Sequence, residues 1–308
     1  MKTSLMRYLW TLLGAAGWLL FFAVTLALPI EAPAPSLISQ IASILLGVIL
    51  LLVFLLAGEQ PRWPAIARWL MFIAGLLAIA VPFAFNWHAP PVRAFTGLGI
   101  VLLALPIGYW IGDRMEKVTN LVPLAVAMSM ADIFSVFHGL SRRVVQDLTE
   151  HQQKIAEATA AAMSTVPPEE AEQAAREAAA AIRAPLGDYI VVHLPVAGTG
   201  ATVPVLGIGD FIILAFLFRA AWVHGISPVK MFSAGIISLL IALGLSQAIQ
   251  RPLPALPFIG LGTVGYLWLT EPRMRRLSRQ EIVLSIVVAL LFAALILGNW
   301  LLSLMGAR

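Results

Sequence analysis

The feature that most constrains this chain is a series of about nine apolar stretches, each roughly 18–25 residues long. They fall near 6–29, 36–57, 64–85, 92–112, 118–140, 204–224, 228–249, 253–270 and 282–305. That is the length a helix needs to cross the hydrocarbon core of a bilayer. Backbone groups in lipid must find partners inside the segment, and no stretch alternates like a barrel strand, so the spans must be helical. Composition agrees. Of 308 residues, 60% are hydrophobic and only 12% charged, and the mean hydropathy is +0.91. A water-soluble domain cannot hide that much apolar surface. The expected class is an all-α multi-pass membrane protein forming a single membrane domain over 1–308, with the lipid bilayer as its constant partner.

Several chemistries are excluded. There is no cysteine, so disulfides, thiolate nucleophiles and cysteine metal sites are absent. There is no Asn-x-Ser/Thr site, glycine-rich phosphate loop, dinucleotide fingerprint or HExxH motif. The net charge of +4 is modest. The basic residues sit in short loops, which reads as topology signalling and not as a nucleic-acid surface. The first span is too long for a signal-peptide core. Ala32-Pro33-Ala34 loosely resembles a cleavage site, but removal is not expected.

The chain divides into four N-terminal helices (1–117), a helix with an aspartate (118–140), a long connection (141–203), three helices of which the first and third carry the motifs (204–272) and a last helix (282–305). The connection starts with polar, helix-forming residues that extend the fifth span out of the membrane. STVPPEE then breaks and restarts a helix, with Glu169 and Glu170 at its positive end. YIVVHLP (189–195) and ATVPVLG (201–207) are β-branched and flank Gly198-Thr199-Gly200, a turn signal. A small β-hairpin at the membrane surface is expected. The larger share of Lys and Arg falls on the N-terminal side, which favours a cytoplasmic N-terminus with the long connection outside.

Two carboxylates lie inside the spans: Asp132 in LAVAMSMADIFSVFHG and Asp210 in LGIGDFIILAFLF. Each costs about 2.5–3.5 kcal/mol at a helix centre on insertion scales. An acid kept at that cost is a functional-site candidate. Asp132 lies about 12 Å below the end of span 5, and Asp210 about 9 Å into span 6, at 1.5 Å per residue. The long connection joins those two ends, so both acids enter from the same face. Helices packed about 8–10 Å apart would bring them together.

Two such carboxyls cannot both ionise, so one keeps a proton and the pair titrates as a unit. The ionised member takes a proton from water, which attacks a peptide carbonyl. The protonated member hydrogen-bonds the carbonyl oxygen and later helps protonate the leaving nitrogen. This chemistry needs no metal or cofactor. Two further elements surround the acids. Gly207 and Gly209 remove side chains where another backbone would approach Asp210, or else serve close helix packing. RPLPALPFIGLG (251–262) places Pro252, Pro254 and Pro257 at a helix start, leaving carbonyls that can line a wet cavity.

An aspartate in one span, GIGDF (207–211) opening the next and PALP (254–257) two spans later resemble the presenilin and signal-peptide-peptidase family of intramembrane aspartyl (GxGD) proteases. The resemblance covers roughly 118–272. It implies that Asp132 and Asp210 are the catalytic pair, that Gly207 and Gly209 shape the site, and that Pro254, Ala255 and Leu256 support it and contact substrate. It implies a nine-span horseshoe around a water-accessible cavity. The substrates implied are single membrane-spanning segments or signal peptides, and the setting a prokaryotic plasma (inner) membrane. No obligate partner subunit is evident, and no nucleic acid is expected. Two departures stand out: Ala131 replaces the family's usual tyrosine, and the first aspartate falls on the fifth span instead of the sixth.

The scissile bond of a helix must be unwound, and an exposed strand edge can accept the unwound chain; Ala201–Leu206 or Tyr189–Pro195 is expected to offer it. Elsewhere, His138 is expected at the interface and His193 exposed in its strand. Arg219 and Lys230 read as snorkelling anchors, and Trp87, Trp110, Trp222 and Trp300 as interface belts. Two other functions fit the acids. A proton-coupled transporter would use them as a relay, but would call for internal repeats that the sequence does not show. A prepilin-peptidase-like enzyme shares Gly-x-Gly-Asp, but has no need of PALP.

Overall fold

The structure is a computed structural model. It describes residues 2–27, 37–59, 63–87, 89–138, 140–165, 182–197, 202–249 and 254–306, with short pieces of 167–178. The turn expected at 198–200, the tripeptide at 32–34, Pro252 and most of the alanine-rich helix expected from 169 lie outside the described residues.

Helices form in all nine apolar stretches. The first four are α1 (Lys2–Ala27), α2 (Leu37–Glu59), α3 (Ala65–Ala84) and α4 (Pro90–Gly112). A 3-10 turn, Val118–Asn120, leads into α5 (Leu121–His138), and α6 (Leu140–Thr165) follows. The connection ends in a short α7 (Leu186–Tyr189) and two strands, β1 (Val191–Pro195) and β2 (Thr202–Gly207). Then come α8 (Ile208–Val223), α9 (Pro228–Ile249), α10 (Leu256–Thr270) and α11 (Arg279–Gly306). Among the described residues, five segments are long and apolar enough to cross a membrane: Leu9–Ala27, Ala65–Ala84, Pro90–Gly112, Val118–Ser135 and Arg279–Gly298. Leu256–Thr270 is a shorter apolar helix, and α2 and α9 carry the apolar stretches Ala42–Leu55 and Val229–Ala242. The protein is therefore an all-α membrane protein with a small antiparallel sheet.

α4 is the hub. It packs against α3 and α8 along its length and touches α1, α2 and β1. Its inner face is lined by Ile100, Val101, Ala104 and Leu105, all fully buried. Trp18 of α1 is also fully buried, and its Nε1 donates to the Ala94 carbonyl at 3.0 Å, so the polar tip of a large apolar ring is satisfied inside the bundle. α3 meets α4 through glycines. A Cβ added at Gly75 would sit 2.6 Å from the Gly99 oxygen and 2.7 Å from the Leu103 nitrogen. Small residues let the two backbones approach, as membrane packing favours. Gly75→Val is therefore expected to destabilise the protein by about 1–3 kcal/mol through overpacking. Thermal unfolding in bicelles checks this.

α10 joins the two halves of the molecule. It packs against α9 and α5 and also reaches α8. α11 packs against α5, and its other faces carry exposed Val283, Ile286, Val287, Leu290 and Leu291, the surface a lipid-facing helix presents.

In the hairpin, Val191 pairs with Gly207, Val192 with Leu206 and His193 with Pro204, so the register slips after Val192 and leaves Val205 as the extra residue of a bulge. β1 is almost entirely buried against α1, α2 and α4, whereas β2 is the outer strand. Its last residue leads straight into α8, and Ile208 N–H still donates to the Ile190 carbonyl at 2.9 Å. The sixth apolar stretch thus does not start as helix at 204: those residues belong to β2, because Thr202, Val203 and Leu206 pair with β1 and β-branched residues favour a strand over a helical turn.

Candidate active site

The later start of α8 changes the setting of Asp210. It is the third residue of the helix, in the first turn, and not a turn and a half inside. Its Oδ2 accepts the Gly207 N–H at 2.9 Å. A carboxylate there meets the positive end of the helix and occupies one donor that would otherwise lack a partner.

Asp132 is placed on α5 and is held by a different helix. Its Oδ2 accepts the Leu256 N–H, the first of α10, at 3.0 Å. The proline-rich approach explains why that donor is available. Pro254 and Ala255 are not helical, Pro257 in the first turn has no N–H, and the Ala255 carbonyl already serves the Phe258 and Ile259 amides. Gly260 then allows α10 to lie against Ala125 and Ser129 of α5, and the Ser129 hydroxyl donates to the Ala125 carbonyl at 2.7 Å.

Each acid thus caps a helix N-terminus, Asp210 its own and Asp132 that of α10. Both carboxyl groups are half-buried, and α10, whose first amide Asp132 accepts, also reaches the helix that carries Asp210. Among the described residues neither accepts a second hydrogen bond. The expectation that α5 and α8 pack directly is corrected: they share no extended contact among the described residues, and α10 bridges them.

The glycines divide differently from expectation. A Cβ at Gly209 would meet nothing within 4 Å, and one at Gly207 only the Asp210 carboxylate at an ordinary 3.6 Å. Close helix packing therefore does not account for either residue; the space beside Gly209 is open.

Three other readings are corrected. His193 is not exposed: it is 2% accessible, and its Nε2 lies 3.0 Å from Asp188 Oδ1. Arg219 does not snorkel. It is buried against α4, with Nε 2.6 Å from Asp113 Oδ1 and the guanidinium 3.9 Å from the Tyr109 ring centroid. Lys230 Nζ donates to the Thr270 carbonyl at 3.1 Å and lies 3.6 Å from Glu271, tying α9 to the end of α10. For His138 and Trp300 only their place in a helix is described.

The Asp188 cluster was not apparent in the sequence. Arg93, near the start of α4, donates from Nη2 to Asp188 Oδ2 at 3.0 Å and from Nη1 to the Thr202 hydroxyl at 2.6 Å. The buried carboxylate thus ties α7 to α4 and β1, and Arg93 in turn ties α4 to β2. Burial alone would raise the Asp188 pKa, but the His193 hydrogen bond and the charge of Arg93 outweigh it and hold the group at about 2. The available signal was an acid beside a β-branched run, with an arginine at the head of an apolar helix. A cavity of about 500 Å³ between α5 and α11 is lined by Glu116, Lys117, Asn120 and Glu281 and includes neither Asp132 nor Asp210. Among the described residues no group of three or more His, Asp or Glu side chains is placed to hold a metal ion.

Compared with protein-family models, with curated proteins and with solved structures, the chain matches none.

Proposed function

We propose that this chain is an intramembrane aspartyl endopeptidase of the presenilin and signal-peptide-peptidase type, with about nine membrane-spanning helices around a wet site. One observation carries the reading: two carboxyl groups lie on separate helices of a membrane protein that a third helix bridges, each fixed by a single backbone N–H at a helix N-terminus. Each keeps its other oxygen without a partner among the described residues, for water or a peptide carbonyl. The ionised acid takes a proton from water, and the resulting oxygen nucleophile adds to the scissile carbonyl. The protonated acid hydrogen-bonds the carbonyl oxygen as charge develops there, and proton transfer to the leaving nitrogen completes the cut.

Substrate access follows from the same geometry. β2 is the outer strand and ends three residues before Asp210, so it supplies the edge for an unwound segment better than β1, which is buried. Open space at Gly209 admits the substrate backbone. Pro254 and Ala255 hold the irregular approach that presents Leu256 N–H to Asp132.

Gly209→Leu separates this role from a structural one. The side chain meets nothing within 4 Å in the protein itself, so the melting temperature is expected to hold. Cleavage should fall about tenfold, as a crowded approach costs about 1–3 kcal/mol. Equal losses of stability and cleavage would point to a packing role instead. The reading itself is tested by binding of a hydroxyl-isostere aspartyl inhibitor carrying a photo-crosslinker. Wild type should be labelled, with Asp132→Asn and Asp210→Asn unlabelled. Equal labelling of all three would refute the paired site.

A further inference from the structure

The far end of α4, away from the hairpin, carries a second polar site. Trp63, Arg68, Tyr109, Asp113, Arg219 and Trp222 line a cavity of about 420 Å³. Two guanidinium groups share one phenol ring there, Arg68 at 5.6 Å and Arg219 at 3.9 Å from the Tyr109 centroid. Asp113 answers Arg219 through the 2.6 Å ion pair. Arg68 has no ion-pair partner among the described residues, and its Nε is buried with no hydrogen-bond partner. The cavity therefore holds one uncompensated positive charge beside a second cation, an arrangement that an incoming anion relieves.

The surroundings say what kind of anion. Trp63 precedes α3 and Trp222 lies at the end of α8, at the depth where indoles mark the membrane interface. Next to the cavity, α3 exposes Ile66, Trp69 and Leu70, an apolar surface for acyl chains. The guanidinium fork matches phosphate oxygens, and basic pockets between membrane helices suit lipid head groups. We propose that this cavity binds the phosphate of an anionic phospholipid head group, with Arg68 as its principal contact and Arg219 as support.

The test is thermal unfolding of the full chain in phosphatidylcholine bicelles titrated with phosphatidylglycerol. In a parallel arm, inorganic phosphate is added to bicelles of phosphatidylcholine alone. Wild type should gain stability with phosphatidylglycerol. Arg68→Gln should need about tenfold more lipid for the same gain, the effect of losing a charged hydrogen bond. Arg276→Gln, at an exposed arginine near the same end of the bundle, should respond as wild type. Asp113→Asn should respond to less lipid than wild type, because it removes the negative charge that pairs with Arg219 beside the cavity; general damage to the fold would not produce that gain. An unchanged response in Arg68→Gln, or a weaker one in Asp113→Asn, would overturn the proposal. So would full stabilisation by inorganic phosphate with no further gain from lipid, which would assign the site to a free anion.

Discussion

Asp132→Ala and Asp210→Ala are each expected to abolish peptide-bond cleavage while leaving the helices folded. Acid–base catalysis by a positioned side chain contributes about 10²–10⁴-fold, and here one carboxyl cannot replace the other. In the proposed mechanism the ionised acid needs its partner to hold the carbonyl oxygen, and the protonated acid alone activates no water. The double variant should therefore be no worse than either single one, as for groups that act as a unit. The fold should survive because each carboxyl caps only one N–H, of Gly207 or of Leu256. Loss of such a cap costs about 0.5–2 kcal/mol. Asparagine keeps an acceptor for those amides but cannot cycle a proton, so Asp→Asn should retain more stability than Asp→Ala and no more activity. Initial rates on a single-span substrate, beside circular dichroism of each variant, check both halves. Retention of a tenth or more of wild-type activity in either alanine variant would remove that residue from the catalytic pair.

Asp188→Ala is expected to destabilise the protein more than either Asp132→Ala or Asp210→Ala. It leaves Arg93 and His193 facing the space of a lost carboxylate in a site where His193 is 2% exposed. Breaking a buried pair from one side costs about 3–5 kcal/mol. The hairpin should loosen with it, since Asp188 holds His193 of β1 and the Arg93 that bonds Thr202 of β2, and β2 runs into the helix that bears Asp210. Cleavage should therefore fall by more than the unfolded fraction explains. The pH dependence has a definite sign. The folded pKa of Asp188 is about 2, below its ordinary value of 3.8. Its stabilising contribution is complete above the ordinary value and is lost as pH falls through about 2. Unfolding curves of wild type and Asp188→Ala should converge as pH drops from neutral toward 2, and a gap that stays constant to that pH would assign the stabilisation to packing.

What was legible in the sequence is what local pattern controls. The apolar stretches had to be helices, because lipid offers no other partner for the backbone. The hairpin was legible from its β-branched runs, and the intramembrane aspartates from the cost of placing acid in lipid. Less legible was anything that depended on who lies across from whom. The run 204–207 is apolar enough to read as membrane helix, yet β1 competes for it and wins, which moves Asp210 to a first turn. Arg219 and His193 looked exposed because their partners, Asp113 and Asp188, are remote in sequence. Direct packing of α5 on α8 was the simplest way to join two acids. α10 joins them instead, because Gly260 lets it lie close to α5 while its proline-rich start leaves an amide for Asp132.

The most direct measurement is mass spectrometry of products from a tagged single-span substrate incubated with purified protein in bicelles. Wild type should generate new termini inside the membrane-spanning segment. The cut should be suppressed by the aspartyl transition-state isostere and absent from Asp132→Asn and Asp210→Asn. An intact substrate with folded wild type across several spanning sequences would contradict the assignment, as would the same cut made equally by the aspartate variants.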